Sequence, residues 1–166
     1  MYKYHIRAYA VLSLTITCFG ILAGFNALSA YWLNKPGSLT DFSVSPSVFS
    51  QVHYGNAQKL VNFNFNLSLD LTPELNWNVK QAFVYIRANF DYDGHPQEKL
   101  LWNKIITRSD KWSLSISDTT EFPIWIGNND REMDMKLSVY YDISPYSGFI
   151  YTRKHSPISV HLPKSK

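Results

Sequence analysis

The 166-residue chain has little cysteine, and its N-terminal segment has almost no charge. Cys18 is the only cysteine, so no internal disulfide can form and the folded part must depend on a hydrophobic core. Lys3 and Arg7 are the only charged residues before Lys35, and the first acidic residue is Asp41. From Lys35 onward there are 14 basic residues (16 − 2) and 13 acidic ones, a net charge of +1. The signs are interspersed, without the basic stripe that binds phosphates, so we expect no nucleic-acid partner.

Motifs that carry chemistry are also lacking. The sequence has no G-x-S-x-G elbow, no glycine-rich phosphate loop and no histidine pair at metal-ligand spacing. Asp91 and Asp93 flank a turn beside Gly94, a pattern more typical of a solvated turn than of a calcium loop. We therefore expect no catalytic residues, no cofactor and no metal site. The five histidines are scattered along the chain: His5, His53, His95, His155 and His161.

A long uncharged segment covers residues 8–33. As a helix it would extend about 39 Å, against about 30 Å of bilayer hydrocarbon, so it predicts a transmembrane helix. The alternative is a cleaved signal peptide with a cleavage site near Ser29. Its apolar region would normally be only about 7–15 residues long, which favours an uncleaved signal-anchor. The sequence thus divides into a tail (1–7), a transmembrane helix (8–33) and a folded domain (34–166).

The distribution of basic residues predicts the orientation of this helix. Lys3 and Arg7 precede it and Lys35 alone follows closely, so the tail is expected in the cytosol and the domain across the membrane. Small residues spaced three and four apart lie on one helix face, where a partner helix can approach closely. We take this face as the predicted helix-packing site: Ser13, Thr17, Gly20 and Gly24.

Beyond the Asn34–Ser38 linker, the hydrophobic pattern has a period of two. Val61–Leu71 and Met133–Ile143 alternate apolar and polar residues throughout, which predicts two half-buried strands. Turn signals separate them from weaker strands. The pattern predicts an all-β, antiparallel β-sandwich-like domain. The weaker strands are expected at Phe42–Val48, Gln81–Phe90, Leu100–Ile106, Trp112–Ser117 and Ile158–Leu162.

Two further features each allow two interpretations. Asn66-Leu67-Ser68 is the only N-x-S/T sequon, but it lies within the clearest strand, so Asn66 can be glycosylated only if its side chain faces solvent. Phe122–Ile126 is an apolar run, expected either as a buried edge strand or as a docking patch for a partner or the bilayer.

Three motifs behind the single apolar helix resemble one known family. They are Trp77-Asn78-Val79-Lys80-Gln81, Leu101-Trp102-Asn103-Lys104-Ile105 and Pro145-Tyr146-Ser147-Gly148. In this order they resemble signal peptidase complex subunit 3, the larger non-catalytic subunit of the endoplasmic-reticulum signal peptidase, over essentially the whole chain.

The resemblance implies a single-pass type II protein of the endoplasmic-reticulum membrane with a lumenal β-rich domain. Such a subunit would support the catalytic signal peptidase subunit, together with the other small membrane subunits, in removing signal peptides from nascent secretory and membrane proteins. The alternatives are an independent type II enzyme and a secreted or membrane-anchored β-sandwich binding protein. We expect the motif residues to be structural, with Trp77 and Trp102 anchoring the core: Trp77, Asn78, Lys80, Gln81, Leu101, Trp102 and Lys104.

Overall fold

A computed structural model describes residues 3–33, 35–53, 56–92, 94–127 and 133–162. Helix α1 spans Tyr4–Leu33, so it begins before the uncharged segment does. It is long and apolar enough to cross a membrane, and its most apolar stretch is not buried against the rest of the chain. Two residues named in the sequence analysis, Asn34 of the linker and Asp93, lie outside the described residues, as do both chain ends.

The first sheet is built around a long central strand. Strand β1 (Ser38–His53) pairs along the whole of β2 (Asn56–Asp70). Two shorter strands, β5 (Ser113–Thr119) and β6 (Ile124–Gly127), pair with successive segments of β2. All pairs are antiparallel. Since β1 occupies one edge of β2, β5 and β6 follow one another along its other edge.

The second sheet has the order β4-β3-β7, with two short strands beyond β7. Strands β3 (Val79–Tyr92) and β4 (His95–Thr107) form a hairpin, and β3 also pairs with β7 (Met133–Pro145). Strand β8 (Tyr151–Lys154) pairs with residues 140–143 of β7, and β9 (Ile158–Leu162) with residues 133–137. A single-turn 3-10 helix, Thr72–Glu74, follows β2.

One hydrophobic core lies between the two sheets. The apolar positions of β2 and β7 face it, because alternate residues of a strand point to the same side. Phe65 of β2 meets Trp102 of β4 edge to face, with ring centroids 5.3 Å apart, and joins the sheets. The predicted antiparallel β-sandwich behind one N-terminal helix is therefore confirmed. Trp102 is buried in the core, as expected.

The two ends of the sandwich differ in their distance from α1. Strand β1 begins five residues after α1 ends, and its first residue pairs with Asp70 at the end of β2. We call this the helix-proximal end. Ile124, in contrast, pairs with Val61, nine residues back along β2 and about 30 Å away. Ile124 is buried, as expected for a buried edge strand, whereas Phe122, two residues before it, is exposed.

Candidate functional site

The helix-proximal end is held together by a buried carboxylate. Glu74, in the 3-10 helix, is fully buried. Its Oε1 accepts hydrogen bonds from the Tyr141 hydroxyl (2.9 Å) and Arg153 Nε (2.9 Å), and its Oε2 accepts one from the Tyr151 hydroxyl (3.0 Å). A buried charge is tolerated only when it is paired and hydrogen-bonded, and this carboxylate is both. Strands β7 and β8 are thereby tied to the turn that follows β2.

The same carboxylate holds the linker that follows α1. The Gly37 amide donates to the Tyr141 hydroxyl (3.0 Å) and, more weakly, to Glu74 Oε1 (3.3 Å). A Cβ at position 37 would lie 2.7 Å from Leu71 Cδ2 and 2.9 Å from the Asp70 carbonyl oxygen, so only glycine fits. Burial, and next the negative charge of Glu74, raises the pKa of the Tyr141 phenol far above its usual value, so the hydroxyl remains a donor. The linker is thus fixed to the sandwich within four residues of Leu33.

Asn78 joins two of the sequence motifs that are far apart in the chain. Its side-chain Nδ2 donates to the Ser147 carbonyl (2.7 Å), and its Oδ1 accepts from the Ser147 amide (3.0 Å). Its own carbonyl accepts from the Tyr146 amide (2.7 Å). Gly148 completes the loop with φ +111°, a left-handed conformation that other residues rarely adopt. Residues 76–78 and 145–148 therefore form one unit, which we call the Asn78 clamp.

The Asn78 clamp is also held from the side of β4. The Arg108 guanidinium, just past the end of that strand, donates to the carbonyl oxygens of Asn76 (3.0 Å) and Val79 (2.9 Å). The Asn76 carbonyl also accepts from the Val79 amide (3.2 Å), so Arg108 adds a second donor to this turn and ties it to the end of β4. Residues 76–79 are therefore held by Arg108 at the end of β4 and by the loop that follows β7.

The predicted motif residues fall into two groups in the structure. Asn78, Leu101 and Trp102 are buried, whereas Lys80 and Lys104 are exposed and Gln81 is half-buried on β3. The expectation that Trp77 anchors the core is wrong, because 45% of it is exposed. Trp77 occupies the turn before β3, where alternation along a strand does not yet dictate which side chain points inward. The motif therefore combines core residues with residues of a surface turn.

The predicted helix-packing site lies on an open surface of α1. Gly20 and Gly24 have nothing within 4 Å of where a Cβ would stand, and Thr17 Oγ1 donates to the Ser13 carbonyl at 2.9 Å. The hydroxyl of Thr17 is thus satisfied within the helix, which leaves a smooth face of small residues. Asn66 faces solvent on β2 between Ser43 of β1 and Ser117 of β5, and its glycosylation stays a prediction.

The histidines lie on separate parts of the fold. His161 forms an exposed pair with Asp134 (2.6 Å), and His155 packs against Tyr141 with ring centroids 5.7 Å apart. Burial lowers the pKa of His155. His95 is exposed in the β3–β4 hairpin and His5 lies in α1, while the His53 side chain is outside the described set. Within the described ranges, no three His, Cys, Asp or Glu residues come together in a metal-binding group.

Sequence reasoning did not identify Glu74, Arg153 or Gly37 as key residues. Glu74 follows a proline in a polar turn, which is the usual context of a solvated acid. Its partners come from residues 37, 141, 151 and 153, and no spacing rule connects these positions. Strand β8 was also missed, since four residues are too few for alternation to be recognised.

Comparison with known proteins agrees with this architecture. The sequence profile of the family described as "Signal peptidase subunit" matches residues 1–165. Signal peptidase complex subunit 3 of Debaryomyces hansenii is 27% identical over 158 residues, which cover 88% of this chain and 83% of the relative. The protein of the same name from Drosophila melanogaster is 27% identical, covering 87% and 84%. That of Saccharomyces cerevisiae is 31% identical over 100 residues, covering 58% and 54%. With a profile match along nearly its whole length, the chain belongs to the signal peptidase subunit family.

Proposed function

We propose that this protein is a non-catalytic subunit of the endoplasmic-reticulum signal peptidase complex, a membrane serine protease that removes signal peptides. In this role it supports the catalytic subunit and performs no bond cleavage. The observation that carries the proposal is the structural role of the family motif residues. Asn78 and Ser147, which belong to two separate motif segments, combine into a structural clamp with no nucleophile–base geometry.

Substitution in the assembled complex tests this role. Alanine at His95, His155 or His161 should each leave signal-peptide cleavage within a few-fold of normal, while depletion of the chain should abolish cleavage by loss of the complex. Removing a nucleophile or general base costs several orders of magnitude in rate. A single substitution that lowers the rate by about a thousandfold in a folded, fully assembled complex would make the chain an enzyme.

The proposed topology places the sandwich in the lumen. Lys3 and Arg7 precede α1 and only Lys35 follows it closely, which favours a cytosolic N-terminus. Protease added outside sealed microsomes should leave the C-terminal domain intact and digest it once detergent opens the vesicles. Digestion of the domain in sealed vesicles would show the opposite orientation.

The small-residue face of α1 is proposed to pack against a membrane helix of the catalytic subunit or of another small subunit. Small side chains let two backbones approach in lipid, where packing replaces the hydrophobic effect. Leucine at both Gly20 and Gly24 should reduce co-purification of the partner subunits in mild detergent. Leu22→Phe adds bulk to a different face and is the matched control. Equal losses for the two variants would assign the effect to the helix as a whole.

A further inference from the structure

A second apolar surface lies beside the end of α1. Tyr146, Phe149 and Ile150, in the loop between β7 and β8, are 62%, 94% and 65% exposed. Together with Tyr31 and Trp32 of α1, which are 78% and 80% exposed, they form a surface that we call the aromatic collar. Contiguous apolar groups of this kind are uncommon on surfaces that face only water.

Three residues of the collar, Tyr31, Trp32 and Phe149, line a cavity between the helix and the sandwich. The cavity has a volume of about 810 Å³ and is lined by Ala27, Tyr31 and Trp32 from α1 and by Gly148, Phe149 and Thr152 from the domain. Because helix and loop residues line one cavity, the tip of the loop lies at the same height as the last two turns of α1. Within α1, Tyr31 and Trp32 occupy the position of an aromatic belt at a membrane–water interface.

The loop is held in this position by the fold. The Asn78 clamp binds Ser147 and Tyr146 through the backbone, and Gly148 reverses the chain with a positive φ. Glu74 and Gly37 secure the linker nearby, so the domain follows the helix closely. None of these bonds needs the side chains of Phe149 or Ile150, which extend beyond the clamp. The side chains of Phe149 and Ile150 are therefore exposed and are not needed to hold the loop in place.

The length of α1 indicates where the bilayer surface lies along the helix. Its 30 residues extend about 45 Å, against about 30 Å of hydrocarbon, so its C-terminal end reaches the headgroup region when the helix spans. Phe149 lines one cavity with the belt residues of the helix, and Ile150 is its exposed neighbour in the loop. Apolar side chains at the boundary of headgroups and acyl chains leave water, and their burial stabilises the bound position.

We propose that the loop Tyr146–Ile150 inserts into the bilayer leaflet at which α1 ends, so that the sandwich rests on the membrane. The occupant of the collar is lipid: the acyl chains of that leaflet contact Phe149 and Ile150. The inference rests on the proposed membrane insertion of α1 but is independent of which side the domain faces. With the Gly37 linker as one attachment and the loop as the second, the domain is held at a fixed height and tilt above the bilayer.

Site-specific fluorescence quenching in the full-length protein tests the insertion. Three single-cysteine proteins carry an environment-sensitive label in phosphatidylcholine nanodiscs. The first is labelled at the native Cys18, and the other two combine Cys18→Ser with Phe149→Cys or Phe122→Cys. Phe149 and Phe122 are both exposed, so neither change disturbs the core. Phe122 lies at the opposite end of the sandwich and is the matched control.

The label at position 149 should be quenched by lipids that carry a nitroxide near the headgroup and be protected from aqueous iodide. The label at position 122 should show the reverse, and that at Cys18 should be quenched by nitroxides deep in the bilayer. Iodide quenching at position 149 equal to that at 122 would refute insertion while leaving the membrane span intact. If deep nitroxides did not quench the label at Cys18, both the membrane span and the insertion would be refuted. Loss of lipid quenching at 149 in the assembled complex, without a gain in iodide quenching, would assign the collar to another subunit and overturn the proposal.

Discussion

Replacing Glu74 with glutamine is the sharpest test of the helix-proximal end. Glutamine keeps the shape of the side chain but removes its charge and one acceptor oxygen. In the native domain one fully buried carboxylate accepts from the Tyr141 and Tyr151 hydroxyls and from Arg153 Nε, all within 3.0 Å. In the variant the amide nitrogen must replace one oxygen, so at least one of these donors loses its acceptor.

The size of the destabilisation expected for Glu74→Gln follows from the burial of the carboxylate. Hydrogen bonds to a charged group contribute about 1.5–3 kcal/mol each, and the values for one shared acceptor do not add. The side chain of Arg153 is 36% exposed, so its part of the ion pair is reduced by solvent. We therefore expect Glu74→Gln to lower the free energy of unfolding by about 2–3 kcal/mol. For a domain of this size that corresponds to a fall in Tm of about 6–12 °C.

Thermal unfolding of the full-length protein in detergent micelles, followed by near-UV circular dichroism, measures this shift. Glu98→Gln is the matched control, because Glu98 also binds an arginine, Arg87, at 2.9 Å, but its side chain is 56% exposed. An exposed pair contributes about 0–1 kcal/mol, so the control should shift the Tm by no more than about 4 °C. If the two variants lowered the Tm equally, the buried carboxylate would not hold the domain together as described.

Four further predictions concern stability, and each is measured by the same unfolding assay. Gly37→Ala should destabilise the domain, since its Cβ would lie 2.9 Å from a backbone oxygen that cannot move aside; an unchanged Tm would mean that the linker is not held closely. Trp102→Ala should cost about 3–5 kcal/mol, whereas Trp77→Ala, at a half-exposed turn, should cost much less; equal losses would place both rings in the core. Asn78→Ala should destabilise by about 1–2 kcal/mol, because two part-buried hydrogen bonds to the backbone of Ser147 are lost, and an unchanged Tm would mean that Asn78 does not hold the loop. Burial lowers the pKa of His155 below its ordinary value of 6.5, so the unfolded chain binds the proton more tightly and stability should fall as the pH drops below about 6.5. His155→Phe should flatten this dependence, and an unchanged pH profile would contradict it.

The strands and the core could be predicted well from the sequence. In β2 and β7 every second residue is apolar over more than ten positions, and a half-buried strand is the structure that places all of them on one side. Trp102 lies in a weaker strand without strict alternation, and its burial was expected from residue type. Trp77 lies outside one, in a turn, where residue type alone favoured burial and the prediction was wrong.

The site at the helix-proximal end could not be predicted, because it is made of long-range contacts. Glu74 and Arg153 are 79 positions apart, and nothing in either segment marks the other as its partner. The two motif segments around Asn78 and Ser147 were noticed separately, but their joining into one clamp depends on how β3 and β7 align. Register between strands distant in sequence is set by the packing of the whole core.

The amino-acid sequence was enough to predict the apolar helix and the long strands, because the period of the apolar residues depends only on local geometry. It also determined the family, through motifs that can be read along the chain. The contacts of the buried charges and the positions of the exposed apolar side chains could be seen only in the folded structure. The buried Glu74 is stable there because three side chains from β7 and β8 reach it, and Phe149 lines one cavity with Trp32 in a loop that Asn78 holds. Such contacts are set by the packing of two sheets against each other, a property of the folded domain that no single segment contains.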